Sequence, residues 1–140
     1  MLEVLAEQKE IKLTFENRLD SPQDVLADMR LLKQIIINLI SNAIKFTEEG
    51  SIEVVLKTCK ENLCLQIKDS GVGISSQNLK YLFEDFTQIS NRSDTQQKGS
   101  GLGLAISRKL AHLFHAKLRL ESEGEGCGTT ATIYFKTYPL

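Results

Sequence analysis

The 140-residue chain is predicted to fold as an α+β domain: a two-layer sandwich of one mixed, mostly antiparallel sheet carrying about three helices on one face. Three observations lead there. Runs with a helical period and runs with a period of two follow one another without a regular βαβ alternation. Two of the strand-like runs are joined by a short polar turn, as in a hairpin. A hydrophobic content of 41% against 25% charge suits a single core of ordinary size. Residues 1–140 are therefore read as one domain without an internal repeat.

Residues 1–10 read as the tail of a preceding helix. Ile11, Leu13 and Phe15 then alternate with Lys12, Thr14 and Glu16 in the manner of a half-buried strand. After a loop containing Pro22, Asp28 is placed to cap a helix over about Met29–Phe46, whose apolar set includes Leu31, Leu32, Ile35, Ile36, Leu39, Ile40, Ala43 and Ile44. This is the predicted central core helix, ended by Gly50. Ile52, Val54 and Leu56 form the next strand up to a turn at Lys60-Glu61-Asn62, and Leu63, Leu65 and Ile67 return beside it. Leu79, Leu82, Phe83 and Phe86 fit a short amphipathic helix, whereas Thr87–Lys98 is almost wholly polar and reads as a mobile loop. A helix is expected from near Leu104, with Ile106, Leu110, Leu113 and Phe114 on one face. Leu118/Leu120 and Ala131/Ile133/Phe135 are then two closing strands around a turn at Gly124, Gly126 and Gly128.

Composition excludes several function classes. A net charge of −1, a pI near 6.1 and scattered lysines provide no electrostatic footprint for nucleic acid. Cys59, Cys64 and Cys127 are odd in number and lack metal-ligand spacing, so they read as structural thiols of a reducing compartment. No apolar run approaches a membrane span and Met1-Leu-Glu-Val starts no secretory signal. These residues are expected to be soluble and cytoplasmic, with no membrane contact of their own, whether or not a longer parent chain is anchored. His112 and His115 close a predicted helix and read as structural or exposed.

Three stretches carry chemistry. In Asn38–Phe46, at about 100° per residue, Asn38, Asn42 and Lys45 fall within a stripe roughly 60° wide, with Gln34 at its edge. A solvated helix face would explain one polar residue. Two asparagines explain themselves less easily, because asparagine is a mediocre helix former and this helix is apolar around most of its circumference. Amide oxygens ligate hard cations, amide nitrogens donate to phosphate, and Lys45 neutralises charge one turn away. In DSGVG, Asp69 follows a strand and precedes Gly71 and Gly73, which reads either as a tight turn or as a carboxylate accepting from an exocyclic amino group. On the second reading the glycines clear space for a flat ring and Ile74 packs against it. In GSGLG, Gly99, Gly101 and Gly103 lead into a helix start, an arrangement that presents backbone N–H groups to an anion, or else a hinge. It is not a dinucleotide fingerprint, since no strand leads in and the sixth position is Leu104 or Ile106, and no Gly-Lys-Ser/Thr is present for a Walker loop.

In this order and at these separations the stretches resemble the catalytic, ATP-binding domain of sensor histidine kinases, within the wider group that includes gyrase, the heat-shock chaperone ATPase and mismatch-repair ATPases. RLLKQIIINLISNAIKFT looks like that family's asparagine box, DSGVGIS its first glycine box, LFEDFTQ its phenylalanine box, GSGLGLAIS its second glycine box, and SEGEGCGTTATIYF its closing hairpin. The resemblance covers nearly the whole chain and implies a Bergerat-type ATP-binding fold.

It also implies ATP and Mg²⁺ as cofactors. Asn38 would hold Mg²⁺ and, with Lys45, serve the catalytic step, while Asn42 and Lys45 contact phosphates and Phe46 lies along the base. Asp69 would bind the adenine amino group, Gly71 and Gly73 would give clearance, and Thr129 would add a polar contact. Gly99, Gly101, Leu102 and Gly103 would cradle the phosphates at the hinge of an ATP lid, residues 87–98. The lid reads SDTQQK where many relatives carry an Arg, leaving Lys98 or Arg92 as substitutes, and the family's Gly-Gly is replaced near His115-Ala116.

Hydrolysing members of the group carry Glu at the position of Asn38, where it activates water. Asn38 cannot act as that base, so the implied activity is transfer of the γ-phosphoryl to a histidine on a separate dimerisation domain, with a response regulator downstream. The family's acceptor-histidine signature is absent from this chain, which is expected to be a monomeric catalytic fragment. A nucleotide-sensing module without phosphotransfer is the alternative, and an ATPase clamp or chaperone is disfavoured by Asn38.

Overall fold

A computed structural model describes residues 2–79 and 100–136 of the chain. The elements are α1 (Leu2–Gln8), β1 (Lys12–Asn17), α2 (Met29–Lys45), β2 (Ser51–Cys59), β3 (Asn62–Asp69), α3 (Ser76–Leu79), α4 (Ser100–Leu113), β4 (Lys117–Glu121) and β5 (Thr129–Tyr134). The strands form one sheet in the order β1-β2-β3-β5-β4. All neighbours are antiparallel except β1 and β2, which are parallel because α2 makes the crossover between them. The predicted two-layer α+β sandwich with a mixed sheet is the fold observed.

Register shows why the core lies where it does. Val54, Ile67 and Ala131 stand side by side across β2, β3 and β5, and Leu65, Ile133 and Leu118 do the same across β3, β5 and β4. All six are buried against a helix layer in which Ile35, Leu39, Ala43 and Ile44 of α2 are also buried. Asp69 continues the same face at the end of β3, opposite Ile52 and Thr129. A carboxylate is thus placed on an otherwise apolar side.

α2 begins as expected, with the Asp28 side chain accepting from the Arg30 and Leu31 N–H groups. It stops earlier than Gly50, at the C-cap Phe46. Its last carbonyls are satisfied from the turn after α1, for the Lys9 ammonium donates to Ile44 O at 2.8 Å and Lys45 O at 3.3 Å. Gly50 instead occupies the turn into β2, with φ +125°. Phe15, expected to be half-buried, is 65% exposed on β1, an edge strand of the sheet.

α4 differs from expectation in two ways. It starts at Ser100, so Gly101 and Gly103 lie inside its first turn and do not precede it. Its buried residues are Leu104, Ala105, Ser107 and Ala111, followed by Phe114, whereas Ile106 and Leu113 are 42% and 69% exposed. Small side chains on this face suit close packing against α2 and β4. The helix ends with the Ala116 N–H on Ala111 O at 3.0 Å and the His115 N–H on His112 O at 3.1 Å, a left-handed cap in which His115 takes φ +65°. The two residues preceding β4 thus make the turn without glycine. The cysteines are free, and burial pushes the Cys64 thiol up to about 12.

Candidate nucleotide-binding site

The three chemistry-bearing stretches are joined through α2. At its C-terminal end, Phe46 O accepts from the Val72 N–H at 3.0 Å, tying the helix to the DSGVG loop. Further back, the Asn38 side-chain nitrogen donates to Ser107 Oγ of α4 at 3.2 Å. Asn42 and Lys45 lie between these two ties along the helix.

Asn38 and Asn42 are half-buried and Lys45 is exposed, with its ammonium 5.6 Å from the centre of the Phe46 ring. Gln34, one turn before Asn38, donates to Asn38 Oδ1 at 3.3 Å. The Asn42 side-chain nitrogen is buried with no hydrogen-bond partner among the described residues, and Thr47 Oγ1 is in the same condition. Buried polar atoms without partners are costly and uncommon in folded proteins. Thr132 Oγ1 in β5 is unpartnered as well, and Thr47 and Thr132 are fully buried, whereas Asn42 is half-buried and fits a site whose ligand supplies the missing bond.

Asp69 is the anchor of the opposite wall. Its Oδ1 accepts from the Gly71 N–H at 2.9 Å and the Thr129 N–H at 3.1 Å, which leaves Oδ2 for another donor. Burial holds its carboxyl above the usual carboxylate range, while the two backbone bonds pull the other way. The loop that follows is pinned to the closing turn. The Gly126 N–H donates to Val72 O at 2.6 Å, the Gly128 N–H to Gly71 O at 3.1 Å, and the Ile74 N–H to Ser122 Oγ at 2.9 Å. Space is tight here: a Cβ on Gly71 would strike the Phe46 carbonyl oxygen, and one on Gly73, at φ +72°, would strike Gly124 O.

The second glycine stretch has the opposite character. A Cβ on Gly103 would meet nothing within 4 Å. Gly101, Leu102 and Gly103 belong to the first turn of α4, where N–H groups have no partner within the helix, and such a turn suits an anion. Lys98, Gly99 and the lid 87–98 lie outside the described residues, as do Leu82, Phe83 and Phe86 of the expected short helix. Of the residues singled out from sequence, Asn38, Asn42, Lys45, Phe46, Asp69, Gly71, Gly73, Ile74 and Thr129 fall on elements bonded to one another. Thr129 takes part through its backbone N–H. Ser107, Thr47, Ser122 and Lys9 were not foreseen: a serine within an apolar helix, a threonine after a helix end and a lysine before a strand carry no pattern of their own.

The clearance expected at Gly71 and Gly73 is taken up by the Phe46 and Gly124 backbone. A buried carboxylate with one oxygen to spare accepts a heterocyclic amine, and a helix N-terminus accepts an anion. A fold offering both defines a nucleotide-binding domain. Residues 27–139 match the model of the family described as histidine kinase-, DNA gyrase B- and HSP90-like ATPase, and the chain belongs to that family.

Among curated proteins, it is 39% identical over 126 residues to Histidine protein kinase 1 of Candida albicans, covering 86% of this chain and 5% of that protein. It is also 39% identical over 127 residues to the sensor histidine kinase GacS of Pseudomonas protegens, covering 86% of this chain and 14% of that protein. The chain therefore spans a small part of these relatives. Among solved structures, full-length ShkA in complex with AMPPNP superposes with a TM-score of 0.79 at 26% identity, over 99% of this chain and 29% of that one. A nucleotide-free catalytic domain of the histidine kinase ThkA gives 0.79 at 26% identity, over 99% of this chain and 88% of that one.

Proposed function

We propose that this chain is the ATP-binding catalytic domain, a single unit over residues 1–140, of a sensor histidine kinase of a two-component system. It passes the γ-phosphoryl of ATP to a histidine on a separate dimerisation domain. Asp69 Oδ2 accepts from the adenine amino group, Gly71 and Gly73 let the loop that holds Asp69 pack closely against Phe46 and Gly124, and Phe46, Ile74 and Thr129 border the ring. Asn42 and Lys45 meet the phosphates, together with the first turn of α4 at Gly101, Leu102 and Gly103, and with Gly99 and Lys98 before it. The observation that carries the reading is the buried, unpartnered Asn42 nitrogen on the same helix as Asn38, between the ties to Asp69's loop and to α4.

Mg²⁺ fits the donor set. Among the described residues no cluster of three or more His, Cys, Asp or Glu is present to hold an ion by itself. Mg²⁺ is commonly held by substrate phosphates with one or two protein oxygens, and Asn38 Oδ1 is the oxygen this site provides. When bound, the ion neutralises phosphate charge. Asn38 cannot deprotonate water, so water is not activated and a nucleophile from another domain is favoured. In the transfer, the bond from the γ-phosphorus to the bridging oxygen breaks, a bond to the imidazole nitrogen forms, the imidazole loses its proton and ADP leaves.

The partner domain, the downstream response regulator and a cytoplasmic location belong to this proposal. Among the described residues no helix is long and apolar enough to cross a membrane. The deciding experiment mixes the chain with an acceptor-histidine domain and γ-labelled ATP. Label on the acceptor that disappears with Asp69→Ala supports the reading. Saturable nucleotide binding without transfer would instead favour a nucleotide-sensing module, for which the Arg-free lid sequence SDTQQK speaks. Rapid hydrolysis without an acceptor would favour an ATPase clamp.

A further inference from the structure

Ser107 is fully buried on α4, among Leu104, Ala105 and Ala111. A hydroxyl there is costly unless bonded, and across the helix interface it receives the Asn38 side-chain nitrogen at 3.2 Å. The two ends of a primary amide are nearly equal in shape and opposite in chemistry, so its hydrogen bonds alone decide which end faces where. Here both ends are engaged: Nδ2 gives a hydrogen to Ser107, and Oδ1 takes one from Gln34.

We propose that Ser107 is a positioning residue that anchors the Asn38 side chain where its amide oxygen meets the divalent cation. This rests on the reading of Asn38 as cation ligand. With one end of the amide held by a buried partner, the side chain is anchored on the side of α2 that faces α4. Oδ1 has a second lone pair beside the one used by Gln34, and Gln34 is exposed, so the oxygen remains open to a hard cation. Without Ser107 the side chain loses this anchor, and its oxygen is no longer held at one place.

The test is titration calorimetry with a non-hydrolysable ATP analogue, with and without Mg²⁺, reading the factor by which Mg²⁺ tightens binding. Ser107→Ala is expected to keep the wild-type affinity without Mg²⁺ and to cut the Mg²⁺ factor about tenfold, as loss of a ligand-orienting partner does. Ser107→Thr, which retains the hydroxyl, is expected to retain the factor, and Asn38→Ala to lose it. A full factor in Ser107→Ala beside a lost one in Asn38→Ala overturns the positioning role and leaves Asn38 as ligand. Equal loss of affinity with and without Mg²⁺ makes Ser107 a packing residue and also overturns it. A full factor in Asn38→Ala removes the cation reading itself, and the role of Ser107 with it.

Discussion

Asp69 and Thr129 lie 60 residues apart in sequence, yet the Thr129 N–H donates to Asp69 Oδ1 at 3.1 Å, across paired positions of β3 and β5. With the Gly71 N–H on the same oxygen, this bond fixes the carboxylate and leaves Oδ2 for another donor. A hydrogen bond to a charged group is worth about 1.5–3 kcal/mol, so Asp69→Ala is expected to weaken nucleotide binding by roughly tenfold to a hundredfold. Calorimetry on the variant checks this, and unchanged affinity would remove Asp69 from the site.

Acidity separates two roles of the same group. Burial holds the Asp69 pKa above the usual range, so between the unfolded and folded values the native protein binds the proton more tightly than the unfolded chain. Its contribution to stability is therefore fully present below the unfolded value and is lost as pH rises through the folded one. Binding runs the other way, because the carboxylate is the acceptor: affinity falls as pH drops through the raised value. Asp69→Asn should remove both dependences, which urea titrations and binding isotherms across the acid range would reveal.

Gly71 marks the closest approach between the loop and the end of α2. A methyl there meets the Phe46 carbonyl oxygen and lies 2.8 Å from Thr47 Oγ1. Backbone cannot yield as a flexible side chain does, so Gly71→Ala is expected to destabilise by about 1–3 kcal/mol, seen as a lower urea midpoint at constant slope.

The turn after α4 makes the opposite prediction. His115 occupies the left-handed position of the helix cap at φ +65°, where a β-carbon costs about 1–2 kcal/mol and glycine is the usual occupant. Allowing for the freedom glycine gains in the unfolded chain, His115→Gly should stabilise by about 0.5–1 kcal/mol. Thermal unfolding would register it, with nucleotide affinity unchanged.

Much of this was legible in the sequence. The hairpin of β2 and β3 follows from alternation, the cap at Asp28 from residue type, and the site residues of α2 from their helical spacing. What periodicity missed has physical causes. Leu113 and Ile106 have the spacing of a buried face, but the face α4 buries carries alanine and serine, because its neighbour comes close. Phe15 has the right parity, and parity does not reveal that its strand lies at the edge of the sheet. The bonds from Ser107 to Asn38 and from Thr129 to Asp69 join distant parts of the chain, where local pattern has no reach.

Asn42 permits the sharpest separation of site from scaffold. Its side-chain nitrogen is buried with no partner among the described residues, a condition that costs about 1–3 kcal/mol unless a ligand supplies an acceptor. Asparagine is also a poorer helix former than alanine by up to about 0.7 kcal/mol. Asn42→Ala sheds both penalties and gives up some packing, so the nucleotide-free protein should be as stable as the parent or more so. The same substitution deletes a donor to phosphate, so nucleotide affinity should fall by about tenfold, the value of a charge-assisted bond of some 1.4 kcal/mol. Thermal unfolding with and without ATP analogue would read both effects at once: a higher midpoint without ligand and a smaller ligand-induced rise. A residue that merely packs would lower the first and leave the second alone, and that pattern would assign Asn42 to the core.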